Sequence, residues 1–179
     1  MRNETRASMA TTRGSFAART AAGAVGAAVA VAATALFAAP AMAADPPPVA
    51  YPEGYRQWTH VKTMVIQPGH PLAEAFGGIH HLYANGKALA GYKAGGKFAD
   101  GSVIVFDLLE AKSADNTVQE GARKVVGVMV KDKRRYAATG GWGFEGFKGD
   151  SKTERAVGAN AATACFQCHQ AKKDNDFVF

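Results

Sequence analysis

Ser102-Val103-Ile104-Val105-Phe106-Asp107-Leu108-Leu109 is the stretch on which the fold turns. Its β-branched and large apolar side chains, entered through the turn signal Ala99-Asp100-Gly101-Ser102, read as a strand. Four other stretches share that character: Tyr55 to Ile66, Phe76 to Tyr83, Lys124 to Lys131 and Trp142 to Phe147. Between the second and third strands, Asn85 is suited to cap a short helix over Gly86 to Ala94, because its side chain can accept from a free N–H of the first turn. A last helix is expected from about Thr153 towards the cysteines. The chain shows no internal repeat after Val49. The expected class is therefore mainly β (α+β): an antiparallel sheet with a few short helices.

Both cysteines of the chain lie downstream of these strands, in Cys165-Phe166-Gln167-Cys168-His169. Two thiols spaced by two residues can reach the two vinyl groups of one haem, and a His directly after the second thiol is positioned to coordinate its iron. The competing readings are a zinc half-site and a redox-active thiol pair. Zinc usually takes four ligands, and no second Cys pair exists here. A redox pair normally follows the first strand of an α/β fold. One covalent haem c, held by Cys165 and Cys168 with His169 on the iron, is the expected cofactor. Small electron-carrying cytochromes are mainly helical, so a sheet-based chain hints at a task beyond electron transfer. A second strong iron ligand would make an electron carrier, whereas an open position admits small molecules. Met64, Met129, His60, His70, His80 and His81 are the candidates for that position, and each taken alone also reads as ordinary packing or surface.

At the other end, residues 1 to 20 carry Arg, and Ala21 to Ala44 is uncharged, rich in Ala and Val, and ends in Ala41-Met42-Ala43. Residues 1–44 read as a secretory signal peptide with a small-residue cleavage site, so the mature chain begins near Ala44 or Asp45. An uncleaved anchor helix is the competing reading, since about 20 apolar residues can span a bilayer; alanine is only weakly hydrophobic, which favours cleavage and no membrane span afterwards. Residues 45–52 follow as a Pro-rich linker, and 53–179 as a single domain. A periplasmic location fits covalent haem attachment, which belongs to the far side of the bacterial inner membrane. The formal charge of the 179-residue chain is +6. Arg2, Arg6, Arg13 and Arg19 against Glu4 supply +3 of that, leaving the mature chain near +3. Lys124, Lys131, Lys133, Arg134 and Arg135 are interspersed with Asp132 and apolar residues and read as a solvated face. No aromatic-plus-basic platform accompanies them, which argues against nucleic acid as a partner.

From about Glu53 to Phe179 the chain resembles the cytochrome P-460 family, which includes the cytochromes c′-beta. The resemblance is carried by Tyr55-Arg56-Gln57-Trp58, Gly96-Lys97-Phe98-Ala99-Asp100-Gly101-Ser102-Val103, Val130-Lys131-Asp132-Lys133-Arg134-Arg135-Tyr136-Ala137, Gly141-Trp142-Gly143-Phe144 and the run from Cys165 to Phe179, in matching order and spacing. It implies a mainly β fold, often a homodimer, carrying a five-coordinate c-type haem whose open face lies over the sheet. P-460 members oxidise hydroxylamine and carry an extra covalent link from a Lys to the porphyrin. The c′-beta members lack that link and bind nitric oxide or carbon monoxide beneath aromatic side chains.

The family's cross-linking Lys position is occupied here by Phe106, and its acidic position over the iron by Gly127. The resemblance therefore points to the c′-beta type. Strand alternation puts Ile104, Phe106 and Leu108 on one face, which would be the haem face. Val125 and Met129 flank Gly127 on the same face, leaving an apolar pocket with Met129 as the one weak ligand on offer. Phe76 lies where a second capping aromatic would come from, and His80 takes a position usually cationic in P-460 members, from which it could hydrogen-bond a bound diatomic. The expected function is an exported mono-haem cytochrome with an open distal face for nitric oxide or carbon monoxide, served by a redox partner protein. Hydroxylamine oxidation is the enzymatic alternative, for which Lys93 and Lys97 lie just upstream of the strand. Six-coordinate electron transfer is the third.

Overall fold

A computed structural model describes residues 48–179. The expected signal peptide and residues 45–47 of the linker lie outside the described residues. The architecture is a five-stranded antiparallel meander in which every strand pairs with its neighbour in sequence, β1-β2-β3-β4-β5. The strands are β1 (Thr59–Ile66), β2 (Gly78–Ala84), β3 (Val103–Ala114), β4 (Thr117–Lys131) and β5 (Trp142–Lys148). Short helices α1 (Ala73–Phe76) and α2 (Gly86–Lys93) flank β2. The expected mainly β class holds.

All five expected strands are present, with shifted ends. Tyr55–Gln57 forms a 3-10 turn rather than the start of β1. Phe76 closes α1, because Gly78 has φ 134 and breaks the chain between helix and strand. Asn85 caps α2 as expected: its Oδ1 accepts from Ala88 N at 2.9 Å and from Val103 N at 3.1 Å, and its Nδ2 donates to Gly101 O at 3.0 Å. One side chain thus ties the helix start to the turn that launches β3.

The largest difference is the length of the β3–β4 hairpin. Pairing with β2 ends at Leu109 and pairing with β5 at Val125, yet β3 and β4 stay paired out to Ala114↔Thr117. A two-stranded ribbon therefore projects past the sheet. It turns at Asp115 and Asn116, both at positive φ (50° and 60°), as a two-residue hairpin with the right-handed strand twist requires.

Register sorts the side chains into two layers. On one face Ala84, Ile104, Trp142 and Phe144 are buried together with Ala88, Phe98, Phe166 and Val178 from the helices and C-terminus. On the other, Val105, Val126, Val128 and Phe147 are covered by Val49 and Tyr55 from the chain's first described residues. Asp107 is also buried on that second face, where Arg123 Nε donates to its Oδ1 at 2.7 Å and Arg56 Nε lies 3.1 Å from its Oδ2. The expectation of a solvated basic face fails at Lys131, which is only 2% exposed. Alternation along β4 places it inward with Met129, and its charge is matched there by Asp176.

Candidate functional site

The expected helix from about Thr153 starts later. Gly158 has φ 55, and the Glu145 carboxylate accepts from the backbone N–H groups of Val157 and Gly158 at 3.3 and 3.0 Å, holding a bend where a helix was expected. Burial alone would raise the Glu145 carboxyl pKa, but hydrogen bonds from Gly158 N, Arg155 and Gly146 N outweigh it and hold the group below its usual range. Helical turns then run through Gly158–Asn160, a π-helical turn Ala162–Phe166, α3 (Gln167–His169) and a 3-10 stretch Gln170–Asn175. The π turn carries Cys165, and such turns recur where a helix must aim a functional side chain.

Phe166 anchors this segment on the sheet, its ring 6.2 Å from Phe144 and 5.3 Å from Phe177. Cys165 is half-buried against the same apolar cluster, and Cys168 is exposed. Burial, reinforced by the Glu145 and Cys168 charges, pushes the Cys165 thiol up to about 11. A redox-active pair needs a thiolate at neutral pH, so this environment speaks against that reading.

His169 has one ring nitrogen engaged and the other free. Its Nδ1 donates to Phe177 O at 2.7 Å, so in the neutral ring Nε2 is the nitrogen left with a free lone pair. Burial lowers its pKa more than that hydrogen bond raises it, favouring the neutral form that binds metal. The ring is fixed between Phe144 and Phe179, at 5.0 and 5.1 Å.

Towards the other end of the same face, the structure gathers four of the expected distal residues. The Phe106 ring lies 4.7 Å from His80 and 6.2 Å from Phe76, each edge-to-face. Gly127 pairs with Phe106 across the strands, and a Cβ there would meet Phe106 Cδ1 at 3.1 Å. The absent side chain at 127 is what lets the Phe106 ring lie against the sheet. His80 is 2% exposed and its Nε2 donates to the Phe76 carbonyl. Burial lowers the His80 pKa, so the neutral ring keeps Nδ1 as a bare acceptor, and that atom has no partner. In this arrangement His80 offers no N–H to a bound diatomic.

Ile104 and Met129 sit two residues along their strands from Phe106 and Gly127, paired with each other and, through Met129, with Phe144. Both join the apolar cluster that holds Cys165 rather than the Phe76–His80–Phe106 group. Met64 lies opposite His80 and is 51% exposed, while His60 and His70 are at the surface. His81 points to the other face, in register with Asp107, and pairs with Glu120 at 2.7 Å. Lys93 ends α2 and Lys97 lies in the following loop, both exposed.

Sequence reasoning missed the partners of His169, namely the Phe177 carbonyl and the residues that hold it. A backbone acceptor has no sequence signature, but the inward position of Lys131 on β4 was readable from alternation.

The donor set fits a haem. Two thiols and an imidazole with one nitrogen engaged and the other free lie in one helical turn, beside an apolar sheet face with exposed aromatic rings at Phe76 (38%) and Phe179 (51%). Among the described residues no three His, Cys, Asp or Glu side chains converge as an all-protein metal cage would need. An open cleft of about 660 Å³, lined by Pro68, Glu74, Gly78, Glu110, Lys112 and Lys124, lies away from the cysteines at the root of the ribbon. Its mixed charges and openness do not suit a flat apolar macrocycle. A family model described as Cytochrome P460 matches residues 52–179. No curated protein matches the chain.

Proposed function

The chain belongs to the cytochrome P460 family of haem cytochromes, and from that premise we propose that it is an exported, periplasmic mono-haem c-type protein that binds nitric oxide or carbon monoxide. Cys165 and Cys168 would hold the haem as thioethers and His169 Nε2 would bind its iron. The haem would supply an iron able to take a diatomic ligand.

The observation that carries this reading is the composition of the Phe76–His80–Phe106–Gly127 group. Edge-to-face aromatic rings and a glycine offer a neutral ligand no desolvation cost, and exclude charged ones. Phe106 in place of a lysine supports a haem without a third covalent link, and Gly127 leaves no carboxylate beside the iron. This pattern supports the c′-beta type within the family. Packing of Met129 with Ile104 and Phe144 speaks against its serving as a sixth ligand.

The free Nδ1 of His80 favours hydroxylamine oxidation as a second reading, because a buried acceptor suits a ligand that carries protons. A homodimer and a redox partner protein complete the proposal by family likeness.

The test is a titration of the purified ferrous protein with carbon monoxide and nitric oxide, with intact mass and an alkaline pyridine spectrum on the same sample. Saturable binding with an ordinary c-type spectrum is expected. Failure to bind either gas overturns the gas-binding function, and a red-shifted, lysine-linked spectrum with hydroxylamine turnover would replace it.

A further inference from the structure

The turn at Asp176 and Phe177 is held by a convergence of side-chain contacts. Asp176 and Phe177 are consecutive residues at positive φ, 50° and 64°, a left-handed conformation that side-chain-bearing residues adopt only when their surroundings impose it. The imposing contacts converge on Asp176. Its Oδ1 takes Lys131 Nζ at 2.5 Å, its Oδ2 takes Phe98 N at 3.3 Å, and its own carbonyl accepts from Trp142 Nε1 at 2.7 Å. Lys131 is itself buried, donates also to Gly140 O at 3.0 Å, and stands 4.8 Å from the centre of the Trp142 ring. Gly140 packs against Phe177 so closely that a Cβ there would fall 2.2 Å from Phe177 Cε2.

A buried ion pair is weak evidence for stability, since well-packed apolar residues often do as well in its place. What these contacts accomplish is geometric: they aim the Phe177 carbonyl at His169 Nδ1. An acceptor on the far nitrogen of a metal-bound histidine fixes its ring orientation and tautomer, and makes the other nitrogen a stronger donor.

We propose that Asp176 is a positioning residue for the iron ligand: clamped between Lys131 and Trp142, it fixes the carbonyl that orients and electronically loads His169, and so sets the haem's potential and its grip on a sixth ligand. This deepens the reading above and rests on His169 as the iron ligand.

The test compares haem-loaded Asp176→Asn and the double variant Lys131→Met/Asp176→Leu with the unaltered protein. Three quantities are read: the iron–histidine stretching band of the ferrous protein by resonance Raman, the midpoint potential, and the melting temperature. Both variants are expected to move the band to lower frequency and raise the potential, because the histidine loses basicity. The double variant, having no uncompensated buried charge, recovers most of the melting temperature lost in Asp176→Asn but not the band. An unmoved band and potential in the double variant, or recovery of both together with stability, overturns the proposal, and this variant decides the matter if Asp176→Asn does not fold. Absence of the band in the unaltered protein overturns it along with the ligand assignment. Failure to bind gas with the band shifted as described would sink only the gas-binding function.

Discussion

Replacing Asp107 by alanine separates the two faces of the sheet. The carboxylate has no exposed surface, and it faces Arg123 Nε at 2.7 Å and Arg56 Nε at 3.1 Å. Arg56 is 42% exposed and keeps its pairing with Glu120, so its loss is worth under about 1 kcal/mol. Arg123 is only 15% exposed, and its remaining partner Asp150 lies at the surface, 81% exposed. Removing one member of a buried pair costs about 3–5 kcal/mol, and the outward path left to Arg123 places this case near about 3 kcal/mol. For a domain of this size that is a fall in Tm of about 10 °C. Circular dichroism melts of the haem-loaded protein measure it. The Soret band is expected to stay in place, since Phe106 and the aromatic group occupy the opposite face. In a double-mutant cycle with Arg123→Met, the double variant should lose less than the sum of the singles. A loss below about 3 °C, or a moved Soret band, would refute the reasoning that Asp107 holds the sheet without touching the haem face.

Three further outcomes follow from the same contacts. Phe106→Ala removes the ring between Phe76 and His80 and should speed carbon monoxide association in stopped-flow mixing; an unchanged rate means the ring does not cap the iron. Gly127→Ala places a Cβ 3.1 Å from Phe106 Cδ1, and because that half-buried ring can give way, stability should change by no more than about 1 kcal/mol while gas-binding rates change, which melts and stopped-flow together check. Burial lowers the His80 pKa, so below the ordinary histidine range, near about 6.5, the unfolded chain binds a proton that the folded one does not; stability is full above that range and falls below it, and His80→Leu should flatten the slope seen in urea melts at pH 5 to 8.

The sheet was legible because its central strands alternate cleanly. Ile104, Phe106 and Leu108 against Val125, Gly127 and Met129 fall into one register, with Gly127 opposite Phe106. The ribbon beyond Leu109 was not legible, since Glu110-Ala111-Lys112-Ser113 and Gln119-Glu120-Gly121-Ala122 bury no apolar face and are held by polar contacts, among them Ala122 N to the Glu110 carboxylate. The run from Cys165 to His169 stood out in the sequence as a candidate haem site. Its support did not, because the acceptor on His169 is a main-chain carbonyl from a turn that Lys131, distant in sequence, holds in place. A helix was expected from about Thr153, whereas Glu145 captures the amides of Val157 and Gly158 and delays the first turn.

The sequential order of the meander carries a kinetic consequence. Each strand finds its partner across the next turn, so the sheet can close through near-neighbour hairpins, which is the rapid limit of β assembly. The segment bearing Cys165, Cys168 and His169 lies outside these hairpins and rests on the sheet through Phe166 on Phe144 and Phe177 on Gly140. Closing the sheet thus requires no contact from the segment that carries the two thiols, and the apolar face can form without it.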